Sequence, residues 1–194
     1  MNPPVIRSAT EAERSKVVDV ILLAFAGDPL ARWAVPNPGQ YLKHVPGFLD
    51  AFGGNGLPHG TTFIADEFAG AALWLPPGVE PDGDRMDSIA AECIPTNVLP
   101  DFAAMFEQMA AYHPHEPHWY LPLIGVDPAL QGRGYGAALM RHAAQKFDRD
   151  GAVAYLESSN PRNIPLYQRH GFEILGEVQV GGSPTIVPML RVPR

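Results

Sequence analysis

The chain has 194 residues, enough for one substantial domain and short for two, and 46% of it is hydrophobic against 18% charged. A formal net charge of -7, with 14 Lys and Arg in all and no basic run, argues against a nucleic-acid partner, and no apolar run is long enough for a membrane span. The single cysteine, Cys93, excludes an internal disulfide and a cysteine-cluster zinc site, and the opening MNPPVIRSAT lacks the basic-then-apolar order of a secretory signal, so a cytoplasmic protein is expected.

VIRSAT predicts a short first strand. Thr10 and Glu13 then make the S/T-x-x-E box that opens a helix through about Phe25, with Val17, Ile21 and Ala24 as its buried stripe. Pro29, Pro36 and Pro38 break the chain, and QYLKHVPGFLDAF reads as a second helix despite Pro46. TTFIAD and GAALWLPPG form a hairpin pattern with Glu67 and Phe68 near the turn. DRMDSIAAECI and NVLPDFAAMFEQMAAYH supply two more helices, the second carrying Phe102, Met105, Phe106 and Met109 at helical spacing, with the two methionines read as core.

After PHEP the pattern changes. HWYLPLIGV reads as strand, GRGYGAALMRHAAQKFDRD as helix, AVAYLES as a buried central strand and PRNIPLYQRHG as a short helix stopped by Gly171. FEILGEVQV and TIVPMLRVP close the chain as an antiparallel pair. This strand-helix-strand order predicts a parallel βαβ unit inside an α/β fold with a mixed sheet.

The stretch DPALQGRGYGAALM sets Gly132, Gly134 and Gly136 at the predicted strand-to-helix turn. Such a turn exposes backbone N–H groups at the positive end of a helix, which suits a phosphate; the same glycines would also serve a tight turn and close packing. A Walker loop is excluded because no Lys-Ser or Lys-Thr follows. A dinucleotide fingerprint would need its third glycine at Ala137, and the acidic residues downstream, Asp148 and Asp150, end the helix rather than the next strand. HPHEPH lacks the HExxH spacing, and Pro114 and Pro117 prevent a helical presentation of its histidines, so no metal site is expected.

The pattern Q-x-x-G-x-G, here Gln131, Gly134 and Gly136, resembles the acetyl-CoA pyrophosphate loop of the Gcn5-related N-acetyltransferase (GNAT) family. NIPLYQRHGF, with Asn163 four residues ahead of Tyr167, resembles a second motif of that family in the right order and separation. The two stretches EPHWYLPLIGVDPALQGRGYG and LESSNPRNIPLYQRHGF look most like its puromycin N-acetyltransferase group. The resemblance is strong over about residues 116–173 and looser elsewhere.

The resemblance implies a GNAT-like fold over residues 1–194: a central mixed, mostly antiparallel sheet, a splayed parallel βαβ unit and flanking helices. Residues 1–115 would form the acceptor side, 116–173 the acetyl-CoA core and 174–194 the closing strands. It further implies an acetyl-CoA-dependent N-acetyltransferase that carries acetyl to a primary amine of a small molecule by direct attack in a ternary complex. A non-catalytic acyl-CoA-binding module of the same fold is the alternative.

Ile124, Gly125 and Val126 would then line the pantetheine arm, and amides of Gln131, Gly132, Arg133, Gly134, Tyr135, Gly136 and Ala137 would hold the pyrophosphate, with the Arg133 guanidinium adding a direct contact. Asn163 would orient the cofactor. Tyr167 is the expected acid for the departing thiolate and Glu157 the best-placed base, with Asp28, Glu116 and His118 as other candidates. Asp28, Trp33 and Trp74 are expected at the acceptor site. A homodimer is the expected assembly for an enzyme of this size.

Overall fold

The computed structural model describes residues 3–194. Its chain order is β1 (Ile6–Ser8), α1 (Arg14–Ala24), α2 (Pro29–Ala34), α3 (Pro38–Gly53), β2 (Thr62–Ala65), β3 (Gly70–Leu75), α4 (Gly83–Cys93) and α5 (Leu99–Ala110). It continues with β4 (Trp119–Val126), α6 (Tyr135–Asp150), β5 (Ala154–Ser158), α7 (Ile164–Arg169), β6 (Glu173–Ile174) and β7 (Val187–Arg191). The seven strands form one sheet in the order β1-β2-β3-β4-β5-β7-β6. Only β4 and β5 pair in parallel, and every other neighbouring pair is antiparallel.

Local signals act where the sequence places them. The Thr10 N–H and hydroxyl both donate to the Glu13 carboxylate at 2.9 Å, satisfying donors that a helix start leaves free. Asp28 and Asn37 cap α2 and α3, each followed at once by a proline that lacks an amide hydrogen to satisfy.

One face of the sheet packs on α1 and α3 through Val17, Ile21, Leu49, Ile64, Leu73 and Leu123. The other packs on α6 through Phe63, Trp74, Leu121, Leu139, Phe147 and Met189. Gly125 sits where α1 comes closest to β4: a Cβ there would lie 2.5 Å from the Ala24 Cβ, so the glycine sets the helix-to-sheet distance.

The feature that positions the site is a break in β4. Leu73 pairs with Leu123 but Leu75 pairs with Tyr120, so β4 carries an extra residue over that interval. The bulge shifts by one which residues turn their N–H groups toward β5. Trp119 donates to Val153 at 2.9 Å, whereas past the bulge the position facing β5 is Pro122, which has no N–H. Parallel pairing accordingly runs from Trp119↔Ala154 to Leu121↔Leu156 and stops, although both strands continue. Beyond that point the strands part.

The closing pair is shorter than its apolar pattern predicts. β6 has two residues, and the rest of its stretch meets the partner through the Leu175 N–H, which donates to the Pro188 carbonyl at 2.9 Å, and at the bridge Val178↔Ile186. The partner strand, β7, inserts between β5 and β6. Among the described residues no helix is long and apolar enough to cross a membrane.

Candidate active site

Three cavities adjoin at the parted strands. A groove of about 800 Å³ runs over the glycine turn, between the end of α1, the C-terminal part of β4 and α7. A central chamber lies beside Pro122, Glu157 and Tyr167. A vestibule of about 880 Å³ opens past α3, α4, α5 and the segment His113–His118. Groove and chamber share Asp28, Ile124, Asn163 and Tyr167, while chamber and vestibule share Glu157.

The groove is built for an anion at one end. Gly132 and Gly134 hold φ of 75° and 87°, the left-handed region that a side chain disfavours, and Gly134 caps the N-terminus of the 16-residue α6. The first amide to find a helical acceptor is that of Ala138, which donates to Gly134 at 3.0 Å; the amides of residues 131–137 have no backbone acceptor among the described residues. The Gln131 side chain donates to the Val126 carbonyl at 3.3 Å and folds the loop back on β4. Strand alternation past the bulge turns the Ile124 and Val126 N–H groups into the gap, where an extended amide-bearing chain could pair with them.

Of the residues expected to meet a cofactor, Ile124, Gly125, Val126, Gln131, Gly132, Gly134, Tyr135, Gly136, Ala137 and Asn163 all line this groove. The Arg133 side chain is the exception: it is exposed and lies outside the lining, while Arg162 and Arg169 line it instead. Asn163 begins α7, but its side chain makes no capping bond and remains available to the groove.

Tyr167 stands at the junction of groove and chamber, 4% exposed, and its hydroxyl makes no hydrogen bond to the described residues. Burial, reinforced by the Asp28 carboxylate, raises its pKa above the usual phenol value, so it keeps its proton at neutral pH.

The Glu157 side chain is 4% exposed, and its Oε1 lies 2.9 Å from His113 Nε2 in a hydrogen bond whose donor is set by the imidazole tautomer. The His113 ring packs on Tyr120 and Tyr155 at centroid distances of 4.8 and 4.3 Å. Burial and then the Glu157 charge push both phenols above their ordinary pKa, so neither competes for a negative charge. His113 carried no role in the sequence reading, which stopped at metal spacing; Glu157 and His113 are 44 positions apart, and only the meeting of the α5–β4 segment with the end of β5 joins them.

The acceptor-side expectations need correction. Trp74 is fully buried on the α6 face, with its ring 4.5 Å from Phe147, and lines none of the cavities. Every residue of β3 is buried, so its apolar run could not reveal which face is core. Trp33 packs against the α1–α3 core and likewise lines none of them. Asp28 does reach the chamber, but its oxygens are committed: Oδ1 accepts from the Leu30 and Ala31 amides, and Oδ2 from Ser159 at 2.7 Å. Of the other candidate bases, Glu116 and His118 both line the vestibule rather than the chamber.

A helix start with free amides, a gap between parallel strands and a buried carboxylate and phenol at the end of that gap make an arrangement suited to acyl transfer. Residues 97–172 match the model of the acetyltransferase (GNAT) family. Over 177 residues the chain is 26% identical to an uncharacterised N-acetyltransferase of Schizosaccharomyces pombe, a match covering 81% of this chain and 69% of that protein. A 61-residue stretch is 43% identical to the mycothiol acetyltransferase of Mycolicibacterium gilvum, covering 27% of this chain and 20% of that protein. A solved Corynebacterium glutamicum structure, described as histone acetyltransferase HPA2 and related acetyltransferase, superposes with a TM-score of 0.73 at 26% identity, covering 100% of this chain and 98% of that one. The chain is thus similar to acetyltransferases of the GNAT family, through residues 97–172 in sequence and throughout in fold, and members of that family generally take the acetyl group from acetyl-CoA.

Proposed function

We propose that this protein is an acetyl-CoA-dependent N-acetyltransferase acting on the primary amine of a small molecule by direct transfer in a ternary complex. The observation that carries the reading is the junction itself. The groove and the vestibule reach the same small chamber from different sides, with Tyr167 on the groove side and Glu157 on the vestibule side.

Acetyl-CoA supplies the acetyl group as a thioester. The amides of residues 131–137 and the N-terminus of α6, with Arg162 and Arg169, would hold the pyrophosphate, and the edge of β4 at Val126 would pair with the pantetheine. Glu157 takes the proton from the acceptor's ammonium and leaves a neutral amine; His113 passes that proton on toward the vestibule. The Ile124 N–H, on a residue that lines both groove and chamber, is the donor for the charge that develops on the carbonyl oxygen. Tyr167 keeps its proton at rest, gives it to the departing sulfur and regains one from the attacking nitrogen as the tetrahedral intermediate collapses to amide and free thiol.

The test is free-thiol release from acetyl-CoA across a panel of amines, with acetyl-CoA binding followed separately by thermal shift. Binding without thiol release from any amine would leave a cofactor-binding module and defeat the catalytic reading. Protection by NAD or ATP in place of acetyl-CoA would defeat the cofactor assignment.

A further inference from the structure

Four phenylalanines make a closed frame between α3 and α5. Phe48 and Phe52 stand one turn apart on α3, and Phe102 and Phe106 one turn apart on α5. Around the frame the ring centroids are 6.1 Å apart for Phe48 and Phe52, 6.1 Å for Phe52 and Phe106, 4.8 Å for Phe106 and Phe102, and 6.1 Å for Phe102 and Phe48. All four line both the chamber and the vestibule, so the frame stands between them. None is fully buried, unlike Met105 on the same helix, which packs with Val178 and Ile186, while Met109 lines both cavities beside the frame. Four partly buried rings converging on one passage form an apolar surface that a ligand of matching character would cover.

Charge divides along the same line. Among the described residues neither the chamber nor the vestibule is lined by Lys or Arg. The vestibule instead presents Glu80, Asp87 and Glu116 on its exposed side and Glu157 at its inner end. The groove carries Arg162 and Arg169, and its only carboxylate, Asp28, is already hydrogen-bonded at both oxygens. An anionic ligand is therefore favoured at one mouth and a cation at the other.

We propose that the acceptor is a cationic primary amine borne on an apolar, ring-sized body, an arylalkyl or branched alkyl amine, which enters through the acidic vestibule and seats within the four-phenylalanine frame with its nitrogen at Glu157. This rests on the N-acetyltransferase reading above. A phenyl face also attracts the entering ammonium through its quadrupole. An amino sugar would bring hydroxyls that find no partner on the rings, and a diamine would leave most of the ring surface uncovered even where its second charge pairs with the vestibule carboxylates.

Steady-state thiol release at saturating acetyl-CoA, with 2-phenylethylamine and 3-methylbutylamine set against glucosamine and agmatine, tests it. The apolar pair should exceed the polar pair by about tenfold or more in kcat/KM. Glucosamine or agmatine turned over as well as, or better than, the apolar amines would overturn the inference while leaving the acetyltransferase reading intact. Thiol release from no amine, with acetyl-CoA still bound, would overturn both. Phe102→Leu and Phe106→Leu keep apolar bulk and remove the ring; each should raise KM for 2-phenylethylamine about fivefold or more and leave KM for acetyl-CoA within about twofold. An unchanged amine KM in both variants would sink the seat assigned to the frame.

Discussion

His113 Nε2 lies 2.9 Å from Glu157 Oε1, and the two groups differ sharply in access: the carboxylate side chain is 4% exposed and the imidazole 32%. A buried carboxylate is thereby joined by one hydrogen bond to a ring that reaches the vestibule. Glu157→Gln should lower kcat by about 100-fold or more, the range that general-base removal gives. His113→Gln retains an N–H donor but cannot relay a proton, and should lower kcat by about tenfold with KM for acetyl-CoA unchanged. Added imidazole should restore part of the His113→Gln turnover in a thiol-release assay, a response that a purely structural contact would not give.

Tyr167→Phe removes one oxygen from a ring that is otherwise packed on Phe172 at 6.4 Å. Turnover should fall by about 100-fold while acetyl-CoA affinity stays within about twofold, because the hydroxyl acts on the leaving sulfur and not on the groove. Stopped-flow acetyl transfer and isothermal titration with acetyl-CoA separate the two effects. Equal losses in both would remove Tyr167 from the chemistry.

Gly134 holds φ of 87° with no atom within 4 Å of where a Cβ would stand. Gly134→Ala therefore meets no clash, only the left-handed backbone penalty of roughly 1–2 kcal/mol. That strain relaxes by turning the amides at the start of α6, so acetyl-CoA affinity should drop by about tenfold with a small fall in melting temperature. Gly125→Ala fails for the other reason: its Cβ would overlap Ala24, and overpacking of roughly 1–3 kcal/mol should appear chiefly as lost thermal stability.

Burial raises the pKa of the Asp28 carboxyl against its hydrogen bonds from Ser159, Ala31 and Leu30. A carboxyl with a folded pKa above its unfolded one binds more protons when folded. Its contribution to stability is therefore fully present below its unfolded pKa and is lost as pH rises through the folded value. Against Asp28→Asn, which keeps an oxygen for the α2 cap, wild type should lose melting temperature as pH rises from below the ordinary carboxyl value of 3.8 to neutrality. A pH-independent difference between the two would contradict this.

Much of the cofactor side was legible because it is local. The glycines, the helix they start and the run from Asn163 to Tyr167 lie within short windows, where backbone conformation and spacing follow from residue type. The acceptor side was not, because its meaning depends on which helices face each other. Phe102 and Phe106 share one helical spacing with Met105 and Met109, and no periodicity separates a core stripe from a cavity wall. Trp74 misled for the same reason, since a strand buried on both faces carries no alternation. Arg133 stands beside the glycines in sequence, yet Arg162 and Arg169, reached through α7 and the turn before it, line the groove. The parted strands were expected from the resemblance, while their cause, a bulge that aims Pro122 at β5, needed the pairing register.

Pro122 also fixes how ligand binding is costed. A ring nitrogen without hydrogen can never restore the missing rung to β5, so the slot beside it does not close by zipping up two strands. A chain entering there competes with no intramolecular ladder, and its hydrogen bonds to Ile124 and Val126 count in full toward affinity. The slot is preorganised by covalent structure, in a single imino acid, and not by a conformational change that each turnover would have to repeat.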